Sequence, residues 1–161
     1  PVMAGIIMAG RTGAAFAAQL GSMQVNEEID ALKTMGISPM DYLVLPRMLA
    51  LILMMPLLVV YADVIGIFGG MIVSILMFDL TLAQYINQTL GSIGLASVLI
   101  GIVKGVLFGL LIASAGCFQG MRSGRSAASV GQATTAAVVM SIVGIVVADS
   151  LVTIITTILD I

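Results

Sequence analysis

The longest apolar run in the sequence extends from Met48 to Phe78 and contains one charged residue, Asp63. A helix of about 31 residues is roughly 46 Å long, which exceeds the hydrocarbon core of a bilayer, about 30 Å, but is short for two passes and a loop. Only 9% of all residues are charged, against about a quarter in soluble domains. The sequence therefore predicts an integral membrane protein in which this run is one long span, bent at Pro56.

Three other apolar stretches are each long enough to cross a bilayer or nearly so: residues 2–23, 95–118 and 133–159. We therefore predict an all-α fold, a polytopic transmembrane helical bundle that forms a single domain over residues 1–161. The chain begins at Pro1 and runs directly into apolar residues, so we expect its natural start to lie upstream.

Small residues recur at intervals of three to five positions in two of the spans, and at every fourth position in the second of these sets, which is typical of helices that pack closely in membranes. In the first span these are Gly5, Gly10, Gly13 and Ala17, and in the third they are Gly101, Gly105 and Gly109. We expect these faces to be helix contacts.

The segment from Asn26 to Arg47 is too polar to lie in hydrocarbon and too short to be a domain. Its first part reads as a short cytoplasmic amphipathic helix over residues 26–36. Asn26 is suited to cap the helix, acidic residues fill its first turn, Lys33 lies near its end and Gly36 is suited to stop it.

One apolar stripe follows this short helix at helical spacing: Ile29, Leu32 and Met35. A capped amphipathic helix between two membrane spans is a suitable contact for a soluble partner, and the stripe is the expected contact surface.

A second polar segment, Asp79 to Gly94, reads as an interfacial helix or loop on the opposite side of the membrane. Asp79 and Thr81 resemble caps, and four residues share an apolar face: Leu82, Tyr85, Ile86 and Leu90. The positive-inside rule places three arginines in the cytoplasm: Arg47, Arg122 and Arg125.

Charged residues inside the spans are costly and mark functional or structural sites. Arg11 either faces an interior or cavity, or snorkels to the membrane surface. Lys104 and Asp149 lie on consecutive spans at matching depths, which predicts an intramembrane ion pair. This pair could serve either as a structural link between the two spans or as a polar site that faces a ligand. The simplest role for the hydroxyls of Thr153, Thr156 and Thr157 is a hydrogen bond to a carbonyl of their own helix.

Several classes of function are excluded by the residues that the sequence lacks. It has no histidine and a single cysteine, Cys117, so no Cys/His metal site is expected and Cys117 reads as a small apolar filler. The net charge of −2 argues against nucleic acid as a partner. No P-loop pattern is present, so we expect no cofactor and no enzymatic activity, and any ATP hydrolysis would have to come from a partner.

The segment AGRTGAAFAAQLGSMQVNEEIDALKTMGISPMDYLVLPR, residues 9–47, closely resembles the signature region of MlaE-type permeases. These are the membrane subunits of bacterial ABC transporters that work with MCE-domain lipid-binding proteins. The likeness continues more weakly through Lys104, the Arg122 loop and Asp149 to the C-terminus, and in this family roughly another hundred residues precede the signature.

The resemblance implies a role for each polar feature. The short helix would be the coupling helix that docks on a cytoplasmic ABC ATPase, through Glu27, Glu28, Ile29, Ala31, Leu32, Met35 and Gly36. Two permease copies would pair in the bacterial inner membrane, with lipid in a cavity between them that opens toward a periplasmic MCE ring. The candidates for lining this cavity are Arg11, Phe16, Gln19, Asp149 and Thr153. Many relatives have Glu where this chain has Gln19, so a charge-dependent role there does not carry over.

The function that follows is movement of phospholipid or a related lipid between the inner membrane and a periplasmic MCE carrier. Two alternatives remain. A secondary transporter or channel would use Arg11, Asp63, Lys104 and Asp149 as an ion path, although the sequence has no internal repeat. A scaffold would only anchor the ATPase and the lipid carrier.

Overall fold

The computed structural model describes residues 1–78 and 81–159, and the side chain of Phe78 lies outside this description. Helix α1 consists of Val2–Met8, a π-helical turn Ala9–Gly13, and Ala14–Val25; α2 is Glu28–Thr34; α3 is a π-helical turn Met40–Val44 followed by Leu45–Phe78; α4 is Leu82–Ser92; α5 is Leu95–Met121; and α6 is Ala127–Ile158. The described residues contain helices and no strand, which confirms the all-α prediction.

Within the described part of the chain, three helices are long and apolar enough to cross a membrane: Met40–Met77, Leu95–Met121 and Ala127–Ile158. They correspond to the second, third and fourth predicted spans. The first predicted span, residues 2–23, is helical but is not among them, since Arg11 and Gln19 make α1 less apolar.

Helix α5 is the centre of the bundle, because it packs against α1, α3 and α6. Its contact with α3 depends on two of the predicted small residues. A Cβ on Gly105 would lie 3.0 Å from Cα of Pro56, and a Cβ on Gly109 would lie 3.0 Å from the carbonyl oxygen of Leu51. Backbones approach this closely only where side chains are missing, so the close packing predicted for these two glycines is confirmed.

Helix α1 crosses α5 at a second set of small residues. A Cβ on Gly116 would lie 2.8 Å from the carbonyl oxygen of Gly13, and a Cβ on Gly120 would lie 2.7 Å from Cβ of Leu20. Helix contacts are predicted for both Gly10 and Gly13. The prediction is confirmed for Gly13 and is wrong for Gly10, since no atom of the described residues lies within 4 Å of its missing side chain. The core between the helices is made of fully buried apolar side chains, including Met55, Phe108, Ile112 and Ile145.

The amphipathic helix α2 is shorter than expected, and its predicted N-terminal cap is wrong. Glu27 occupies the capping position with a left-handed φ of 60°, while the side-chain amide of Asn26 donates to Glu28 at 3.3 Å. The predicted stop is confirmed. Gly36 has a φ of 75°, its N–H bonds the carbonyl of Lys33, and the N–H of Ile37 bonds the carbonyl of Leu32, which is a Schellman ending.

Two later boundaries also differ from the sequence analysis. Helix α3 begins at Met40 with a π turn that ends at Val44, and Pro46, which has no N–H to donate, is the second residue after that turn. Helix α6 begins at Ala127 rather than at residue 133, because Ser126 and Ser129 cap each other's backbone N–H groups. Thr81 stands at the capping position of α4 without a side-chain bond, and Asp79 lies outside the described residues.

Candidate functional site

The three apolar residues of α2 do not form one exposed stripe. Ile29 is 1% exposed, whereas Met35 is 65% exposed and Leu32 is intermediate. Ile29 therefore faces the body of the protein, whereas the C-terminal half of α2 faces outward. The expectation that all three residues serve as contact surface is therefore wrong for Ile29, which anchors the helix.

An arginine of the loop between α5 and α6 ties α2 to the bundle. The Arg125 guanidinium lies 2.7 Å from Oδ2 of Asp30 and 3.8 Å from Oε1 of Glu27. Lys33 lies 3.3 Å from the other oxygen of Asp30. The arginine loop and α2 are thus at the same end of the molecule, as the positive-inside assignment requires.

The remaining residues expected to contact an ATPase are on the surface of this end. Glu27, Glu28, Ala31 and Gly36 are all exposed. With Met35 and the half-buried Leu32 they form a small mixed surface, acidic at the start of α2 and apolar at its end.

Lys104 and Asp149 are brought together across α5 and α6. Nζ of Lys104 donates to Oδ1 of Asp149 at 2.7 Å and to the hydroxyl of Thr153 at 2.9 Å. The two charged side chains are 13% and 27% exposed. The ammonium group therefore has two oxygen partners inside the spans, which is the arrangement that makes an intramembrane charge tolerable.

The other polar residues of the spans do not join this cluster. The hydroxyls of Thr156 and Thr157 donate to the backbone carbonyl of Thr153. Arg11 lies in the exposed part of the π turn of α1, and Asp63 is exposed on α3. Among the described residues, the ion pairs include neither Arg11 nor Asp63, so the structure gives no continuous ion path along these charges.

Of the five candidates for a lipid cavity, Asp149 and Thr153 share the ammonium group of Lys104, and the other three lie on α1. Gln19 lines an open groove of about 490 Å³ with Ser22, Met23 and Arg47, and none of the other four candidates lines it. Phe16 is half-buried, with the Arg47 guanidinium 5.7 Å from the centre of its ring. Arg11 and Gln19 are instead both exposed, eight positions apart on one face of α1.

Two arginines in this region have roles that the sequence analysis did not assign. Arg125 holds the acidic end of α2, and the complementary charges of Glu27 and Asp30 were the signal for it. Arg47 lies over Phe16, and its Nη1 is buried without a hydrogen-bond partner within the described residues. No local pattern links residues 16 and 47, since only the crossing of α1 and α3 brings them together.

The sequence is similar to several known proteins. The family model described as Permease MlaE matches residues 1–155. A probable ABC transporter permease protein of Rickettsia typhi is 43% identical over 153 residues, which cover 95% of this chain and 59% of the relative. A probable ABC transporter permease protein of Synechocystis is 36% identical over 149 residues, covering 92% of this chain and 57% of the relative.

A plant protein is similar over the same region. The chloroplast protein TRIGALACTOSYLDIACYLGLYCEROL 1 of Arabidopsis thaliana is 36% identical over 149 residues, which cover 92% of this chain and 43% of that protein. The chain therefore spans less than two thirds of the length of these relatives.

Proposed function

The chain belongs to the MlaE permease family, and we propose that it acts as the permease subunit of an ABC transporter that moves phospholipid or a related lipid. Three helices able to cross a membrane and the absence of a P-loop from the sequence suit a subunit whose ATP is hydrolysed by a partner. The membrane in question is the inner membrane of a bacterium, and the lipid passes to or from a periplasmic MCE-domain carrier.

The observation that carries the proposal is the form of α2. It is a rigid short helix, closed by a Schellman ending, anchored by Ile29 and tied by Arg125, with Met35 65% exposed at its tip. Met35 lies in a polar segment between two membrane spans, where a large exposed apolar side chain is suited to contact a partner protein. We assign this surface to the cytoplasmic ATPase, with Leu32 and Met35 as the apolar contacts.

The lipid cargo is supported by one relative and by the character of the spans. The name of the Arabidopsis relative contains that of a galactolipid. The exposed face of α1 combines small and apolar residues with Arg11 and Gln19. Two copies of the chain would place two such faces opposite each other, and we propose that the lipid cavity forms between them.

The ATPase contact is tested by charge substitutions at the two ends of the molecule. Met35→Asp and Leu32→Asp should each abolish co-purification of the ATPase, because a carboxylate in an apolar contact loses its hydration. Leu90→Asp is the matched control: it introduces the same charge on an exposed leucine of the other amphipathic helix, α4. Unchanged ATPase recovery with Met35→Asp would refute the assignment.

A further inference from the structure

A groove of about 890 Å³ runs along the outward face of α6, beside the C-terminal end of α5. Its walls change character along its length. Gln119, Gln132 and Thr135 line the end near the arginine loop, whereas Val139 and Val143 line the end that lies deeper in the span. The groove is therefore amphipathic along the direction of the membrane normal.

The polar end continues into a depression of about 220 Å³ that shares Gln119 and Gln132 and adds Arg122 and Ser129. The Arg122 guanidinium is 5.0 Å from the centre of the Phe118 ring. This cation–π contact stabilises the arginine side chain with its charge at the polar end of the groove, which we call the mouth. The mouth thus carries one cation and two side-chain amides.

The apolar end continues in the same way. A hollow of about 410 Å³ shares Met140 with the groove and is otherwise lined largely by small or apolar residues of α5 and α6, among them Leu111, Ala115 and Gly144. The three depressions are neighbours that share lining residues, with a cation at one end, the mouth, and apolar side chains at the other, which we call the shaft.

The length of the shaft matches one leaflet of a bilayer. From Gln132 to Val143 a helix rises about 16 Å, and half of a hydrocarbon core is about 15 Å. A head group at Arg122 would therefore place an acyl chain alongside Val139 and Val143, ending near the middle of the membrane.

We propose that this groove binds a phospholipid of the leaflet on the side of the arginine loop, with its phosphate at Arg122 and one acyl chain along the face of α6. A guanidinium binds phosphate oxygens in a bidentate manner, and the amides of Gln119 and Gln132 are suited to the phosphate and ester oxygens. The site lies within one chain, so it requires neither an ATPase nor the cavity between two copies.

The experiment uses the protein purified from native membranes and reconstituted in nanodiscs that contain phosphatidylglycerol with a photoreactive acyl chain. Labelled positions are mapped by mass spectrometry of peptides. We expect label on Val139, Met140 and Val143 of α6 and on Leu111 and Ala115 of α5. A diacylglycerol that carries the same photoreactive chain and lacks the phosphate should label these positions much less.

Two variants with matched controls test the two ends of the groove. Arg122→Gln should lower the labelling by about tenfold, as expected for the loss of one charged hydrogen-bonding partner. Arg125→Gln removes an equal charge from the same loop, but from an arginine that faces Asp30 and Glu27, and should leave the labelling unchanged. Val143→Phe should fill the shaft and abolish labelling there, whereas Val64→Phe on the exposed face of α3 should not.

Three results would overturn the proposal. The first is that Val146 is labelled as strongly as the groove residues and that neither Arg122→Gln nor Val143→Phe changes the labelling. This result would mean that the label comes from bulk lipid around the helix. The second is crosslinking of the groove to a second copy of the chain, and the third is equal labelling by the two probes. Recovery of the ATPase by these preparations is measured separately, so failure of the groove is distinguishable from failure of the transporter assignment.

Discussion

At the scale of single residues, the contact between Lys104 and Asp149 shows how this chain tolerates charge inside a span. Each charge alone would be costly in hydrocarbon, but the 2.7 Å contact and the added bond to Thr153 satisfy the ammonium group. Both side chains are partly shielded, so neither is hydrated as it would be in water. The pair therefore links α5 to α6 at a depth where few other polar contacts are available.

Removing one member of this pair should destabilise the protein more than removing both. Lys104→Met or Asp149→Leu alone leaves an uncompensated charge, which should lower the free energy of unfolding by about 3 kcal/mol or more. The double variant replaces the pair by apolar side chains and should recover most of that loss. Denaturation in detergent micelles measures all three. A double variant as unstable as the sum of the single variants would show that the two charges are not coupled.

How far the sequence predicts such residues depends on whether their partners can be recognised without the fold. The pairing of Lys104 with Asp149 is predictable from their opposite charges and their matching depths on consecutive spans, because both depths are measured from the same loop. Arg125 with Asp30 joins residues that are 95 positions apart, and Arg47 reaches Phe16 only where α1 and α3 cross. The Arg47–Phe16 contact has no signature in the sequence, and the opposite charges of Arg125 and Asp30 do not by themselves identify the two residues as partners, so both contacts appear only in the structure.

At the scale of helices, α1 and α5 make a close contact where glycines replace larger side chains. The missing side chain of Gly120 leaves room for Leu20 and for Ala17, whose Cα would be 3.0 Å from a Cβ at this position. Without glycine here the two backbones would have to separate. The sequence indicates that these helices contain small residues, but it does not show which of them face each other.

Gly120→Ala should therefore destabilise the bundle by about 1–3 kcal/mol, the usual effect of overpacking a tight contact. Gly66→Ala on α3 is the control, since no atom of the described residues lies within 4 Å of its missing side chain. That substitution should stabilise the helix by about 0.5–1 kcal/mol because alanine has the higher helix propensity. Thermal unfolding of both variants in the same detergent tests the difference in sign.

The short helix α2 is held differently, by one buried side chain and by charges on the surface. Arg125, Asp30 and Glu27 are each more than a third exposed, and exposed ion pairs contribute about 1 kcal/mol at most. Arg125→Ala should leave the global stability nearly unchanged. It should nonetheless speed amide hydrogen exchange in residues 28–34, because the helix loses its tie to the α5–α6 loop. Exchange rates equal to those of the unmodified protein would mean that Ile29 alone fixes α2.

At the scale of the whole molecule, the contacts divide the protein into two ends. Arg125 binds α2, and Met40 and Val44 of α3 line a cavity with Cys117 of α5 and with Arg122, which directly follows α5. The start of α3, the end of α5 and helix α2 therefore share one end. Helix α4 connects the opposite ends of α3 and α5, and the Tyr85 hydroxyl donates to the carbonyl of Ile67 there.

This two-ended arrangement is what the pattern of charges and apolar runs predicts best. The linear order of spans and polar segments in the sequence is enough to predict that successive helices run in opposite directions. The cavities between helices are less predictable, because they depend on how each helix is rotated. The groove on α6 and the outward turn of Met35 are both of this kind.

The orientation of the two ends in the membrane is open to a direct test, because the chain contains one cysteine and that residue, Cys117, is 2% exposed. A membrane-impermeant maleimide should therefore react poorly with the unmodified protein in intact spheroplasts. Gln84→Cys, at an exposed position on the polar face of α4, should be labelled in intact spheroplasts. Met35→Cys on α2 should be labelled only after the membrane is opened.

The expected result follows from the arginines, since Arg122 and Arg125 lie at the α2 end and positive loops remain in the cytoplasm. It also follows from the proposed ATPase contact, because ATP is available only on that side. Labelling of Met35→Cys in intact spheroplasts would place α2 outside the cell and would exclude it as the docking surface of a cytoplasmic ATPase. The same measurement would then place Arg122, and with it the lipid groove of α6, in the outer leaflet.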